Sequence, residues 1–242
     1  ERSNYEKSKR KTGIPARRGG GNSVAPKPAF TLAEVLVTLG IIGVVSAMTV
    51  PSLMQNHQRK TYVVQLHKFY NQLSQALVRF QTDKNAVNLK EAGLLTDFDS
   101  FWTSYFNIVN DCGSTSTPCF PEKGSYRMIN SSASPYTTQK RFITLADGVS
   151  IGYGVNSTFP LCLDVDINGA KGPNVVGRDL FIMYIYNNGV IDDYNSTVDG
   201  SGAPLTDEQR EDGFSQGCYS SSSGAWTGCF GKILNDNWEM TY

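Results

Sequence analysis

Asp164, Asp166 and Asn168 stand at alternate positions with Gly169 behind them, in the stretch DVDING. Oxygen ligands at the first, third and fifth positions and a glycine at the sixth are how a calcium loop of EF-hand type begins. A hard cation takes oxygen, and the chain must turn sharply around it. The closing acid of such a loop is missing, because the twelfth position is Val175; Asp179 is the residue that could close the site from further along. Ca2+ held by Asp164, Asp166, Asn168 and Asp179 is one expectation. The other is a strand end running into a polar turn, with the Asp and Asn side chains capping backbone amides. Gly169, Gly172, Pro173 and Gly177 suit a tightly folded loop under either.

Glu34 raises a different chemistry. It is the one acid in AFTLAEVLVTLGIIGVVSAMTVPSLMQ, residues 29–55. A carboxylate inside a membrane helix costs roughly 2.5–3.5 kcal/mol on insertion scales, so it calls for a partner. No Lys or Arg lies between residues 30 and 58 to provide one. A cut between Ala29 and Phe30 would. The new α-amine of Phe30 stands four residues before Glu34, on the same helix face. In an assembly it could reach the Glu34 of a neighbouring chain and neutralise both charges where water is scarce.

The remaining reactive side chains point away from catalysis. His57 and His67 face no acid or Cys at catalytic spacing and read as solvated helix residues; there is no GxSxG, HExxH or P-loop, so no enzyme is expected. Of five cysteines, none forms a CxxC pair and zinc spacing is absent. Cys112 with Cys119 and Cys218 with Cys229 bracket short Gly/Ser-rich loops and read as disulfides made outside the cytoplasm, against the alternative of free, partly buried thiols. Cys162, between Leu161 and Leu163, reads as a buried thiol, with a pairing that includes it left open. The aromatics of the tail (Phe214, Tyr219, Trp226, Phe230, Trp238) fit core and loop packing better than a sugar-binding patch.

These residues need elements to position them. Residues 1–29 hold eight Lys or Arg against Glu1 and Glu6; the leader is +6, and since the whole chain is neutral the rest is −6. That acidic body makes a nucleic-acid partner unlikely. The leader has no periodicity and should be disordered. The chain opens on Glu1, not Met, so its first residue need not be the start of the gene product. Residues 30–50 are apolar all round, about 31 Å of helix at ~1.5 Å per residue, enough to cross a hydrocarbon core. Beyond Pro51, Val63, Leu66, Phe69/Tyr70, Leu73, Ala76/Leu77 and Phe80 recur in steps of three and four, with Gln65, Lys68, Gln72, Gln75 and Arg79 outside the stripe. One helix is expected from about Phe30 to Thr82, with Pro51 kinking it rather than ending it.

From residue 83 to about 139 the signals are mixed, with a short helix over 98–109 and loops after it. Residues 141–155 and 180–194 read as hairpins around Asp147-Gly148 and Asn188-Gly189, and 159–167 as an alternating strand. The tail reads as a loop stapled by Cys218 and Cys229. The fold class is α+β, a long N-terminal helix (transmembrane half, then amphipathic half) covering a small antiparallel sheet of about four strands. The organisation is a leader at 1–29, an apolar helix at 30–50, its amphipathic continuation at 51–82 and a head at 83–242.

The pattern A|FTLAEVLVTLGIIGVVSAMTVPSL resembles the processing and methylation motif of type IV prepilins and type II secretion pseudopilins. The match takes in a basic leader, a cut before Phe30, Thr then Leu, an acid at Glu34, an unbroken apolar helix and a proline at Pro51. The family usually has Gly before the cut where this chain has Ala29. The run LDVDINGAKGPNVVGRDLFIMYI is similar to the sheet region of pseudopilin-like proteins. The resemblance implies a pilin-like fold. It implies removal of the leader by a membrane-bound prepilin peptidase on the cytoplasmic side, with methylation of the Phe30 amine. It further implies stacking of the long helices in the core of a filament, with Glu34 setting register. The partners would be copies of itself and related pilins, the peptidase, an inner-membrane assembly platform and the bilayer. The protein would begin as a single-pass precursor in a bacterial inner membrane, leader cytoplasmic and head outside, and end in a periplasmic or cell-surface filament. Some pseudopilins bind calcium in a C-terminal loop, which bears on the Asp164 region. Two other readings of the apolar run need no filament: a plain signal anchor, and a secretory signal peptide cut after Ala47.

Overall fold

A computed structural model describes residues 30–134, 139–154, 158–194, 202–219 and 226–242. The leader, with Ala29, lies outside the described residues. The chain divides into two units, Glu1–Thr49 and Val50–Tyr242.

Helix α1 spans Leu32–Asp83 and contains Pro51. Its opening is fixed locally. Thr31 and Glu34 form a reciprocal cap: the Glu34 amide donates to Thr31 Oγ1 at 3.2 Å, and Glu34 Oε2 accepts from the Thr31 amide at 2.8 Å and hydroxyl at 2.9 Å. This is the S/T-x-x-E capping box, two otherwise orphaned backbone donors each satisfied by the other residue's side chain. In the first unit every described residue is exposed.

In the second unit the same helix has a buried stripe of Val63, Leu66, Phe69, Leu73, Ala76, Leu77 and Phe80, with Gln65, Lys68, Gln72, Gln75 and Arg79 exposed. The 3–4 spacing places those seven side chains along one face, and burying them is what anchors this half. They join one continuous core with the sheet. Helix α2, Phe98–Tyr105, adds Phe98, Phe101 and Trp102; Phe80 meets Phe101 edge-on with ring centres 5.6 Å apart.

The sheet has six antiparallel strands in chain order: β1 Ile108–Gly113, β2 Arg141–Leu145, β3 Ser150–Tyr153, β4 Leu161–Asp166, β5 Leu180–Ile185 and β6 Ile191–Asp192. Gly148 (φ +91°) and Gly189 (φ +84°) make the turns of the β2–β3 and β5–β6 hairpins, in a backbone region that side chains disfavour. Two strands exceed the expected four or so. β1 is an edge strand whose register shifts twice and none of whose residues is buried, so its sequence shows no alternation to read. β6 is two residues long.

The sheet's two faces are covered differently. Tyr153 packs against Phe98 and Trp102 of α2. On the opposite face, one residue out of phase, Phe142 meets Phe120 and Asp166 accepts from the Tyr126 hydroxyl, both partners coming from the loop after β1. The tail is more than a stapled loop. It contains α3, Asp207–Gly213, a π-helical turn over Phe214–Cys218, and α4, Cys229–Asn235. α3 starts with its own capping box, Thr206 and Gln209.

Candidate functional site

Among the described residues one helix, α1, is long and apolar enough to cross a membrane; its most apolar window has a mean hydropathy of 2.0, and none of that window is buried. Phe30, 86% exposed, stands just before it. Leu32, Leu36, Leu39, Ile42 and Met48 are exposed around all sides of the segment. Gly40 and Gly43 have open space where a Cβ would lie. Glycine costs about 1 kcal/mol against alanine inside a helix, and no packing within the chain requires it here. Glu34 has a partner within its own turn, Thr31, which the reading of an isolated acid missed. The signal was in the sequence: Thr31-Leu-Ala-Glu34 is the capping-box pattern.

The second candidate, around DVDING, is built differently. β4 and its return into β5 bring Asp164, Asp166 and Asp179 into the interior, each at most 1% exposed. Their oxygens are engaged by protein donors. Asp179 accepts from the amides of Asn174 (2.7 Å) and Val175 (2.6 Å). Asp166 accepts from Tyr126 and from the Asn168 amide at 3.1 Å. Asp164 accepts from Gln139 Nε2 at 3.1 Å, and Asn168 donates to the Gly172 carbonyl at 3.2 Å. Burial, reinforced by the nearby Asp179 carboxylate, pushes Asp166 well above the usual carboxylate range. Burial also raises Asp179, and the two amides work against that rise. Among the described residues, no three His, Cys, Asp or Glu side chains are grouped to hold a metal ion. The arrangement fits the polar-turn alternative at two of the three acids: Asp166 and Asp179 close a loop between two strands by capping its amides.

Cys112–Cys119 and Cys218–Cys229 are disulfides, with S–S distances of 2.06 and 1.99 Å. The second packs on Gly177, where a Cβ would come within 2.7 Å of Cys229 Sγ; with its φ of +84°, that position takes no other residue without strain. Cys162 is a free thiol that accepts from Gln139 Nε2, and burial, with Asp164 alongside, pushes its pKa up to about 12.

The largest polar constellation of the head was not legible beforehand. Asp192, fully buried, receives two bonds from Arg210, at 2.9 Å from Nε and 2.7 Å from Nη2. Asp193 beside it accepts from the amides of Tyr194, Gly228 and Gly231, at 2.7, 2.9 and 2.7 Å. Burial lifts Asp193 to about 6, with those amides opposing the rise. These bonds tie β6 to α3 and to the start of α4; the chemistry is structural. His67 also departs from expectation: it is stacked on Trp238, ring centres 4.0 Å apart, rather than solvated. Of the tail aromatics, Phe230 is fully buried and Phe214, Trp226 and Trp238 pack against the core, while Tyr219 is exposed.

Comparison of the chain with family models, with curated proteins and with solved structures found no match.

Proposed function

We propose that this protein is a structural subunit of a type IV pilus-like or type II secretion pseudopilus filament, with a pilin-like fold and no enzymatic activity. It is made as a precursor held in a bacterial inner membrane, cut between Ala29 and Phe30, and methylated on the new amine. Its partners are the prepilin peptidase, the inner-membrane assembly platform, the bilayer, and copies of itself and related pilins. The carrying observation is the first half of α1: apolar on every side, exposed throughout, with one acid in its first turn. Such a surface is stable only in lipid or against many like helices. Gly40 and Gly43, which nothing among the described residues demands, support close approach between helices. Glu34 selects register, and close van der Waals packing of the apolar helices drives association, since a helix already in lipid gains nothing further by leaving water.

The test is the mass of the mature N-terminus from cells. A chain starting at methylated Phe30 is expected. One starting near residue 48 means plain secretion, and an intact leader means an anchor. The Thr31–Glu34 box favours a second reading, a non-polymerising membrane-anchored or secreted binding domain, because it gives Glu34 a purpose without a neighbour. Two substitutions separate the readings. Glu34→Gln keeps a side-chain acceptor for the cap and removes the charge; Glu34→Ala removes both. Filaments from the wild type that are lost in both variants support the subunit, absence of filaments from the wild type itself supports the non-polymerising domain, and normal assembly of Glu34→Gln removes the role assigned to the charge.

A further inference from the structure

Beyond the apolar segment, α1 carries no acid from residue 35 to residue 82, and its cations are of two kinds. Lys68 and Arg79 are paired, with Asp147 at 3.4 Å and Asp83 at 3.8 Å. Arg59 and Lys60 form no ion pair among the described residues. Both line a groove of about 510 Å³ between α1 and the C-terminal segment, with Asn56 and Val63 on one wall and Trp238 and Glu239 on the other. The Trp238 ring is stacked on His67 and its centre lies 5.0 Å from that of Tyr70, so packed rings back this wall. Glu239 is exposed and leaves the groove with an excess of positive charge.

The groove's position on the helix specifies an occupant. Val50, Leu53 and Met54 are exposed apolar residues; Arg59 and Lys60 follow Met54 by about 7–9 Å of helix rise, and Val50, where the unbroken apolar run ends, by about 14–15 Å. The polar layer on each side of a hydrocarbon core is about 5–7 Å thick, so two long cationic side chains at that height reach the phosphate plane by extending along the helix. A tryptophan beside them matches the residue type that settles at the water–lipid boundary. A soluble anion would explain the charge but not the placement next to an exposed apolar turn.

We infer that the Arg59–Lys60 groove beneath Trp238 is a docking site for the phosphate headgroup of an anionic phospholipid, holding the head against the outer leaflet before assembly. The inference rests on the membrane-held precursor proposed above. Guanidinium and ammonium groups donate to phosphate oxygens, and a zwitterionic headgroup offers the same phosphate with a competing cation.

The full chain is purified in detergent doped with equal phosphatidylglycerol and phosphatidylcholine, and retained lipid is read by native mass spectrometry. The wild type should keep phosphatidylglycerol over phosphatidylcholine by at least about 5-fold. The enrichment should vanish in Arg59→Gln/Lys60→Gln and persist in the exposed-charge control Lys123→Gln, with unchanged melting temperatures showing intact folds. Equal retention of the two lipids, or enrichment that survives the double substitution, overturns the headgroup site. Inorganic phosphate at 10 mM that abolishes the enrichment at constant ionic strength would make this a free-phosphate site, and cross-linking of Lys60 to an acid of a second copy would make it a subunit contact; either refutes the lipid assignment. Carbonate-washed membranes tell the two levels apart. A chain released by carbonate fails the membrane reading and the headgroup site together, while a chain that stays and shows no lipid preference fails only the second.

Discussion

The two halves of α1 differ in what surrounds them rather than in how they are built. Residues of both halves are helical and rich in Leu and Val, yet the first half is exposed on all sides and the second buries a single stripe. The difference is written in the polar residues. Gln65, Lys68, Gln72, Gln75 and Arg79 mark the face that water is to have; between Val35 and Val50 only two Thr and one Ser interrupt the apolar side chains, and Thr38 and Thr49 turn their hydroxyls back to helix carbonyls, at 2.9 Å each. A helix that specifies one wet face is asking for one partner surface. A helix that specifies none is asking for a medium.

Truncations in the two halves test this most severely. Phe69→Ala, at a fully buried position, should cost the head about 3–5 kcal/mol in denaturant unfolding. Leu39→Ala in the first half should leave the same midpoint unchanged within ~0.5 kcal/mol; equal losses would end the distinction. Opening the second disulfide with Cys229→Ser should remove about 2–4 kcal/mol from the head, read as a lower melting temperature that reductant lowers no further in that part of the molecule. Protease resistance of the first half of α1 should not change.

A smaller effect comes from Asp193. Its folded pKa of about 6 lies above the ordinary carboxylate value, so the folded state holds a proton that the unfolded chain has released. That contribution is complete below about pH 4 and is lost as pH rises through 6. The linkage amounts to on the order of 1 kcal/mol between pH 5 and 7. Asp193→Asn does not titrate, so its stability deficit relative to wild type should be smaller at pH 7 than at pH 5, measured by urea unfolding at both. A deficit that grows with pH would contradict the buried acid. The smallest effect belongs to the first turn. Thr31→Ala should cost about 0.5–1 kcal/mol of local helix stability, seen as lost amide protection over residues 32–36 with no change in the head.

How much of this was legible follows from the range of the signals. The stripe from Val63 to Phe80 needs only the neighbouring three or four residues, and all seven buried positions were readable from their spacing. The hairpins at Gly148 and Gly189 likewise declare themselves within a dozen residues. β1 does not, because its bulges break the period-two rule that a strand is recognised by. The Asp192–Arg210 pair and the Asp193 amide cradle are set by packing of β6 against α3 and α4, and nothing local in DDY distinguishes a buried acid from a loop acid. DVDING shows the opposite hazard. Its local pattern suggests a metal loop, while donors that reach its acids, Tyr126 at Asp166 and Gln139 at Asp164, come from elsewhere in the chain.

The cap at Thr31 has a thermodynamic consequence for the filament we propose. Because Glu34 already holds the Thr31 donors before any neighbour arrives, joining a filament exchanges those bonds for an ion pair with the neighbour's amine. The carboxylate then contributes to elongation only the difference between the two, and by that same difference it favours aligned over misaligned arrivals. Growth and shortening would be governed by how closely each incoming helix packs against its neighbours compared with lipid, and the subunit could return to the bilayer with its first turn intact.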